Sequence, residues 1–314
     1  MQKSITVTTN NIVSIQDTHT MSELANRFVK YLDVSAITAK SYISGVRKFL
    51  AFINSQGVTA PTRNTVIEYK KILCEKYTAG TVALYISALR RFFSWCASEG
   101  LYTNITDGVK SPRVDTGHKK DAFTAGQLKS IISGIERDTL KGKRDYALFC
   151  LVSATGLRTV EVVRANVSDI RNVGGADCLF VQGKGRTSKT EFVKLSGHVM
   201  KAIQAYLNAR GTVADDEPLF ASISHRNNGG RMTTRSISRI CKSAMTSAGY
   251  VSKRWTAHSL RHSAITLALI AGISIQEVSQ FARHSSIAIT QIYSHDVERL
   301  KSRCESAISE AIFG

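Results

Sequence analysis

Residues 105–124 read ITDGVKSPRVDTGHKKDAFT, and this stretch limits the possible folds more than any other part of the chain. It is polar, holds two glycines and a proline, carries four lysines or arginines, and breaks the helical periodicity before it. Such a segment reads as a linker between two bodies rather than as part of one core. The 314 residues are enough to give each body a core of ordinary size.

Upstream of the linker the apolar residues recur at helical spacing in four segments. Thr20 followed by Glu23 makes a capping-box pattern that opens a helix through MSELANRFVKYL. In the second segment, ITAKSYISGVRKFLAFINSQG, a stripe of Tyr42, Val46, Phe49, Leu50 and Ile53 leaves Lys40, Arg47 and Lys48 off the apolar face. A third helix covers NTVIEYKKILCEKY. The fourth, TAGTVALYISALRRFFSWCASEG, carries Val82, Tyr85, Ile86, Leu89 and Phe93 with Arg90 and Arg91 beside them. Aromatic residues at this spacing are core rather than base-stacking platforms. The expected organisation is a disordered N-terminus over 1–18, a four-helix domain over 19–108, a linker over 109–120 and a second domain over 121–314.

Downstream the pattern changes. Helical segments at TAGQLKSIISGI, KRDYALFCLVSATG, HVMKAIQAYLNAR, TTRSISRICKSAMTSAG, SAITLALIAG and IQEVSQFARH surround CLFVQGKGRTSKTEFVKLS, whose alternating apolar runs flank a glycine-basic turn. That stretch predicts a β-hairpin. The fold class is therefore mainly α, with a small antiparallel β-sheet in the second domain.

Charge points to the partner. Forty-two Lys and Arg against 24 Asp and Glu give a net charge of +18. Up to residue 120 there are 16 basic and 8 acidic residues, so both halves are basic and the excess is no detachable tail. Two basic bodies suit a grip on a polyanion, with nucleic acid the first candidate. The six cysteines are scattered without Cys-x-x-Cys or Cys/His zinc spacing, so no metal site is indicated. The apolar runs fall short of a membrane span and the polar N-terminus does not resemble a secretion signal, so the expected location is cytoplasmic. No phosphate-cradling glycine motif for a nucleotide is present.

Four short segments carry the chemistry. In ATGLRTVE, Arg158 stands where a buried helix has stopped and a new one begins, with Glu161 one turn on. An arginine there can present its planar fork to a phosphate, although an ordinary Arg–Glu pair would look the same. In VQGKGRTSK, Lys184 lies between two glycines at a hairpin tip, with Arg186 and Lys189 close by as candidate phosphate contacts. In HSLRHS, His258 and Arg261 share a helical face. In RHSSIAITQIYSH, His284 precedes Tyr293 by nine residues.

Taken in order, Arg158, Lys184, His258-x-x-Arg261, His284 and Tyr293 resemble the tyrosine recombinase (phage integrase) family. The four segments run through the whole second domain, and the four-helix first domain with its linker resembles the family's core-binding domain. Two-domain members clamp DNA, and the short N-terminus is similar to that of the compact Xer-like type without an arm-binding domain. The resemblance implies that Tyr293 attacks a DNA phosphate to leave a 3′-phosphotyrosine and a free 5′-hydroxyl. Arg158 and Arg261 would bind the phosphate, Lys184 would protonate the leaving oxygen, His258 would assist proton transfer at the nucleophile and His284 would hydrogen-bond the phosphate. Glu161 would orient the site from behind. His262 and His295 are read as supporting or surface residues. Lys40, Arg47, Lys48, Arg90, Arg91, Arg186 and Lys189 are the candidate DNA contacts outside the centre.

The chemistry supports the assignment on its own terms. Breaking a phosphodiester without metal needs cations for the non-bridging oxygens, a nucleophile and an acid for the leaving oxygen. The ester keeps the bond energy, so rejoining needs no ATP and no cofactor is implied. By resemblance the partners are double-stranded DNA with a specific recombination site and a homotetramer on two such sites, alone or with a related recombinase or accessory protein. No membrane is involved. The tail SHDVERLKSRCESAISEAIFG offers Leu300, Ala307, Ile308 and Ile312 and in the family docks on a neighbouring protomer. Two rival functions share the fold: a type IB topoisomerase-like nicking-closing enzyme, and a catalytically idle DNA-binding regulator. One departure stands out. The family has Leu-Gly-His before the tyrosine segment, whereas this chain has Ala282 and Arg283 before His284, losing a permissive backbone position.

Overall fold

The apolar stripes read from the sequence become two separate helical cores. The structure, a computed structural model, describes residues 18–114, 121–183 and 185–314. The chain divides into two compact units between residues 116 and 117. Residues 1–17, expected to be disordered, and 115–120, within the expected linker, lie outside the described residues.

The first unit holds α1 (Thr18–Tyr31), α2 (Ala36–Ser55), α3 (Arg63–Lys76) and α4 (Ala79–Ser98). Ser35 caps α2 by accepting from the Thr38 N–H. The stripe of α2 (Val46, Phe49, Leu50, Ile53) packs against that of α4 (Val82, Ile86, Leu89, Phe93). The two helices approach closely at Gly45, where an added Cβ would meet the Ala88 Cβ at 3.0 Å. Most of the aromatic residues are core, as their spacing implied, while Tyr42 and Tyr85 are half-buried and Tyr31 and Tyr77 are exposed. Phe28, Phe49, Phe92, Phe93 and Trp95 are all buried and meet in edge-on or tilted pairs. The start of the expected linker is corrected: Ile105 and Val109 are buried in this unit's core and Arg90 donates to the Val109 carbonyl, because apolar side chains there still find a place against α4.

The second unit runs through α5 (Ala125–Ser133), α6 (Leu140–Thr155) and α7 (Thr159–Arg164) into β1 (Ile170–Val173), β2 (Ala176–Val181) and β3 (Glu191–Lys194). It continues as α8 (Gly197–Arg210), α9 (Thr234–Ser247), α10 (Ala257–Ile270), α11 (Ile275–Ala282), α12 (Ile287–Lys301) and α13 (Cys304–Phe313). The three strands form one antiparallel sheet in the order β1-β2-β3. Leu179 and Val193 pair across β2 and β3 and turn into the core. Strand β1, absent from the sequence reading, pairs with β2 through a turn at Gly174 and Gly175, both with positive φ. Helix α6 is buried on most sides, packed by α8, α10 and the sheet residues. Ahead of α5, the Phe123 N–H donates to Ser263 Oγ of α10 at 2.7 Å and the Phe123 ring stacks on Trp255 at 4.0 Å. These contacts fix the start of α10, where the chemistry-bearing residues begin. Among the described residues no helix is long and apolar enough to cross a membrane.

Candidate active site

Two helix ends build the site. Helix α6 stops at Gly156, whose φ of +59° is the left-handed cap that glycine adopts without strain. Leu157 is buried just beyond, and Arg158 then becomes the N-cap of α7. Helix α11 stops at Arg283, also left-handed at φ 52° and ψ 50°. A helix C-terminus leaves carbonyls without intrahelical partners and carries partial negative charge. Here arginines fill them. The Gly156 carbonyl accepts from Arg261 Nη1 at 2.7 Å. At the end of α11, the Phe281 carbonyl accepts from Arg283 Nη1, the Ala282 carbonyl from Arg261 Nη2 and the Arg283 carbonyl from Arg158 Nη2.

Glu161 is fully buried and ties this cluster together. Its Oε1 accepts from Arg158 Nη1 at 2.9 Å, while Oε2 accepts from the Arg158 backbone N–H at 2.8 Å and Arg283 Nη2 at 3.2 Å. The Arg–Glu pair that the sequence left open as a purely structural feature does form. It leaves part of the fork available, since the Arg158 side chain keeps 28% exposure. Arg261 is 2% exposed. Burial, with the like charges of Arg158 and Arg283 beside it, pushes its pKa down to about 10, so it remains a cation at neutral pH. Burial also lowers that of Arg283, against the opposing pull of Glu161. A cluster of mutually repelling cations held from behind is a built anion site.

Helices α10 and α12 bring the remaining residues. The start of α10 presents His258 at the surface and buries Arg261 and His262 one turn on. Helix α12 buries Thr290, Tyr293 and Val297 along one face. The Tyr293 ring is 5% exposed, 5.2 Å from the His262 ring and 6.2 Å from the His284 ring. His262 and His258 meet edge-on at 4.6 Å. The Nδ1 of His284 is 2.8 Å from Thr290 Oγ1, which fixes that ring beside the tyrosine. Burial pushes the Tyr293 phenol up to about 12, while Arg261 and Arg158 pull it down. The phenol is thus neutral at pH 7 and sits in the field of both arginines.

Of the residues expected from the sequence, Arg158, Glu161, His258, Arg261, His284 and Tyr293 all lie in this region of the second unit. Lys184 lies outside the described residues. Two residues carry more than the sequence suggested. His262 is the ring between His258 and Tyr293, and the second histidine of HSLRH at i+4 from the first was the available signal. Arg283 enters the buried ion network, although only its place next to His284 marked it. His295 is exposed.

The peripheral basic residues divide into engaged and open groups. Lys40 and Arg47 are exposed on α2 and line one shallow groove with Ala39 and Ile43, and Arg91 is exposed on α4. Lys48 donates to the Tyr77 hydroxyl at 2.9 Å and lies over the Tyr77 and Tyr85 rings. Arg90 turns back to its own unit, Arg186 pairs with Glu191 at 3.2 Å, and Lys189 pairs with the buried Asp169.

These features define a class. Residues 121–299 match the phage integrase family and residues 25–100 its N-terminal SAM-like domain, so the chain belongs to the phage integrase, or tyrosine recombinase, family. Its relatives include tyrosine recombinases named XerC, XerD and XerA. The chain is 29% identical over 294 residues to tyrosine recombinase XerC of Roseiflexus castenholzii, covering 88% of this chain and 89% of that one. It is 28% identical over 287 residues to tyrosine recombinase XerA of Pyrococcus furiosus, covering 91% and 94%. Among solved structures, the fold is shared with XerH site-specific recombinase in a post-cleavage complex with its palindromic difH substrate. That match has a TM-score of 0.72 at 20% identity and covers 92% of this chain and 84% of the other.

Proposed function

We propose that this recombinase cleaves and rejoins DNA at a specific site through Tyr293. The observation that carries the reading is the buried Tyr293 ring, flanked by His262 and His284 and facing the charge of two arginines anchored from behind by helix carbonyls. The Tyr293 oxygen attacks the scissile phosphorus, a P–O bond to tyrosine forms, and the P–O bond to the 5′ oxygen breaks. The phenol proton leaves by way of the neighbouring His262 ring and, beyond it, His258. Lys184 gives a proton to the departing 5′ oxygen. Arg158 and Arg261 take the non-bridging oxygens on the N–H groups that the backbone carbonyls leave open. His284, fixed by Thr290, donates to the same phosphate.

Attack by a 5′-hydroxyl from a second duplex reverses the step on a new partner, so strands are exchanged through a Holliday junction. The assembly is a homotetramer on two DNA sites, and it works in the cytoplasm. The tail supports this reading. Every residue of α13 is exposed, with Ile308, Ile312 and Phe313 at 59%, 64% and 83%, and such an apolar helix calls for a neighbouring protomer. The Leu300 side chain, named with it from the sequence, lies outside the described residues.

The test uses a library of nicked duplexes with a randomised centre, in which the strand beyond the cut is lost and rejoining is blocked. Wild-type protein selects a defined sequence as an SDS-resistant adduct, and Tyr293→Phe forms none. Adducts of random sequence would favour a nicking-closing enzyme, and a wild type that forms no adduct would leave a DNA-binding regulator.

A further inference from the structure

Arg283 is the one non-glycine residue with positive φ among the described residues. Left-handed backbone is a strained state for a residue with a Cβ. The strain is held in place by the side chain, which is buried to 5% exposure and makes two links, while the backbone carbonyl makes a third. Its Nη1 closes on the Phe281 carbonyl, its Nη2 reaches Glu161 Oε2, and its own carbonyl receives Arg158 Nη2. Arg158 is thereby held from two sides, by Glu161 Oε1 and by the Arg283 carbonyl.

The electrostatics follow from the count of charges. A fully buried carboxylate facing Arg158 alone would make a nearly neutral pair, and little of the arginine's field would be left for a phosphate. With Arg283 on Oε2, one anion is divided between two guanidinium groups, and the three groups together are a net cation. We propose that Arg283 is a positioning residue of the cleavage site: it shares Glu161 with Arg158 and clamps the Arg158 guanidinium, so that Arg158 delivers a larger and better fixed positive charge to the scissile phosphate. The inference rests on the cleavage reading given above. Arg283 acts through Arg158 and touches no reacting atom, being buried behind it. Its backbone also sets the chain direction into His284, whose N–H bonds to the Ser279 carbonyl at 3.1 Å.

Arg283→Gly is the informative variant, because glycine adopts the left-handed backbone freely and the side chain is lost without added backbone strain. On a nicked duplex carrying the selected sequence, single-turnover adduct formation slows about tenfold, while binding of the duplex changes by less than about twofold. Arg283→Lys keeps the cation and stays within about threefold of wild type, and Arg283→Gln, which keeps a hydrogen bond without charge, shows the glycine variant's defect. A duplex with a methylphosphonate at the scissile position separates charge from packing. It lacks one negative oxygen, so the defect of the glycine and glutamine variants shrinks to less than about twofold on it. Equal slowing on both duplexes, or no slowing by either variant beside an active wild type, overturns this inference alone. A wild type that forms no adduct overturns the cleavage reading and this inference with it.

Discussion

Replacing Glu161 by glutamine changes one atom and removes one buried charge. Oε2 of Glu161 serves two donors, the Arg158 backbone N–H and Arg283 Nη2, whereas Oε1 serves only Arg158 Nη1. The glutamine therefore keeps its carbonyl toward the two donors and turns its NH2 toward Arg158, donor against donor. The cap of α7 survives, and the guanidinium of Arg158 keeps only the Arg283 carbonyl as its anchor. Breaking a fully buried ion pair costs 3–5 kcal/mol, and the 28% exposure of Arg158 places this case at the lower end, about 3 kcal/mol. For a unit of roughly 200 residues, at 2–4 °C per kcal/mol, thermal unfolding should fall by about 6–12 °C. Adduct formation should slow by about tenfold to a hundredfold, because the misplaced fork no longer meets the phosphate. Added inorganic phosphate should narrow the difference in melting temperature, since an anion restores the missing counter-charge. Calorimetry and single-turnover cleavage measure both effects. A melting temperature within about 2 °C of wild type together with an unchanged cleavage rate would refute the role given to Glu161.

Two further outcomes are expected. The Tyr293 phenol ionises near 10 when unfolded but at about 12 when folded, so its contribution to stability is complete below pH 10 and is lost as pH rises toward 12. At pH 11 the loss is about 1.4 kcal/mol, or roughly 3–6 °C, and Tyr293→Phe should be spared it between pH 9 and pH 11 in paired melting curves; identical pH slopes would contradict the burial argument. Replacing Ile308, Ile312 and Phe313 together by serine should leave the melting temperature unchanged, because all three are exposed, and should reduce multi-protomer complexes on DNA in light scattering. Unchanged assembly would show that α13 is not the contact.

The helices were legible because each carries its own period. Val46, Phe49 and Ile53 on α2, and Val82, Ile86 and Phe93 on α4, repeat at helical spacing and are buried where that spacing places them. Strand β1 was not legible, since Ile170–Val173 alternates only once into the core and its signal was the Gly174-Gly175 turn rather than an apolar pattern. At the site, residue types and order were readable because phosphate chemistry needs cations and a nucleophile in fixed roles. What the sequence did not carry was how the arginines are held. Three carbonyls at the end of α11 and one at the end of α6 do this work, and carbonyls look alike at every position. His262 and Arg283 stayed unassigned for the same reason: their meaning comes from neighbours 31 and 122 positions away, Tyr293 and Glu161. Lys48, Arg90 and Lys189 show the converse, basic residues whose donors are already engaged, by the Tyr77 hydroxyl, the Val109 carbonyl and the Asp169 carboxylate.

The central claim is that Tyr293 joins the protein to DNA through a 3′ phosphate. The trapped adduct, digested with protease and nuclease and sequenced by tandem mass spectrometry, should give one modified peptide, with the nucleotide on Tyr293 and a free 5′-hydroxyl on the released strand. A nucleotide on any other residue, or a tyrosine linked through a 5′ phosphate, would contradict it.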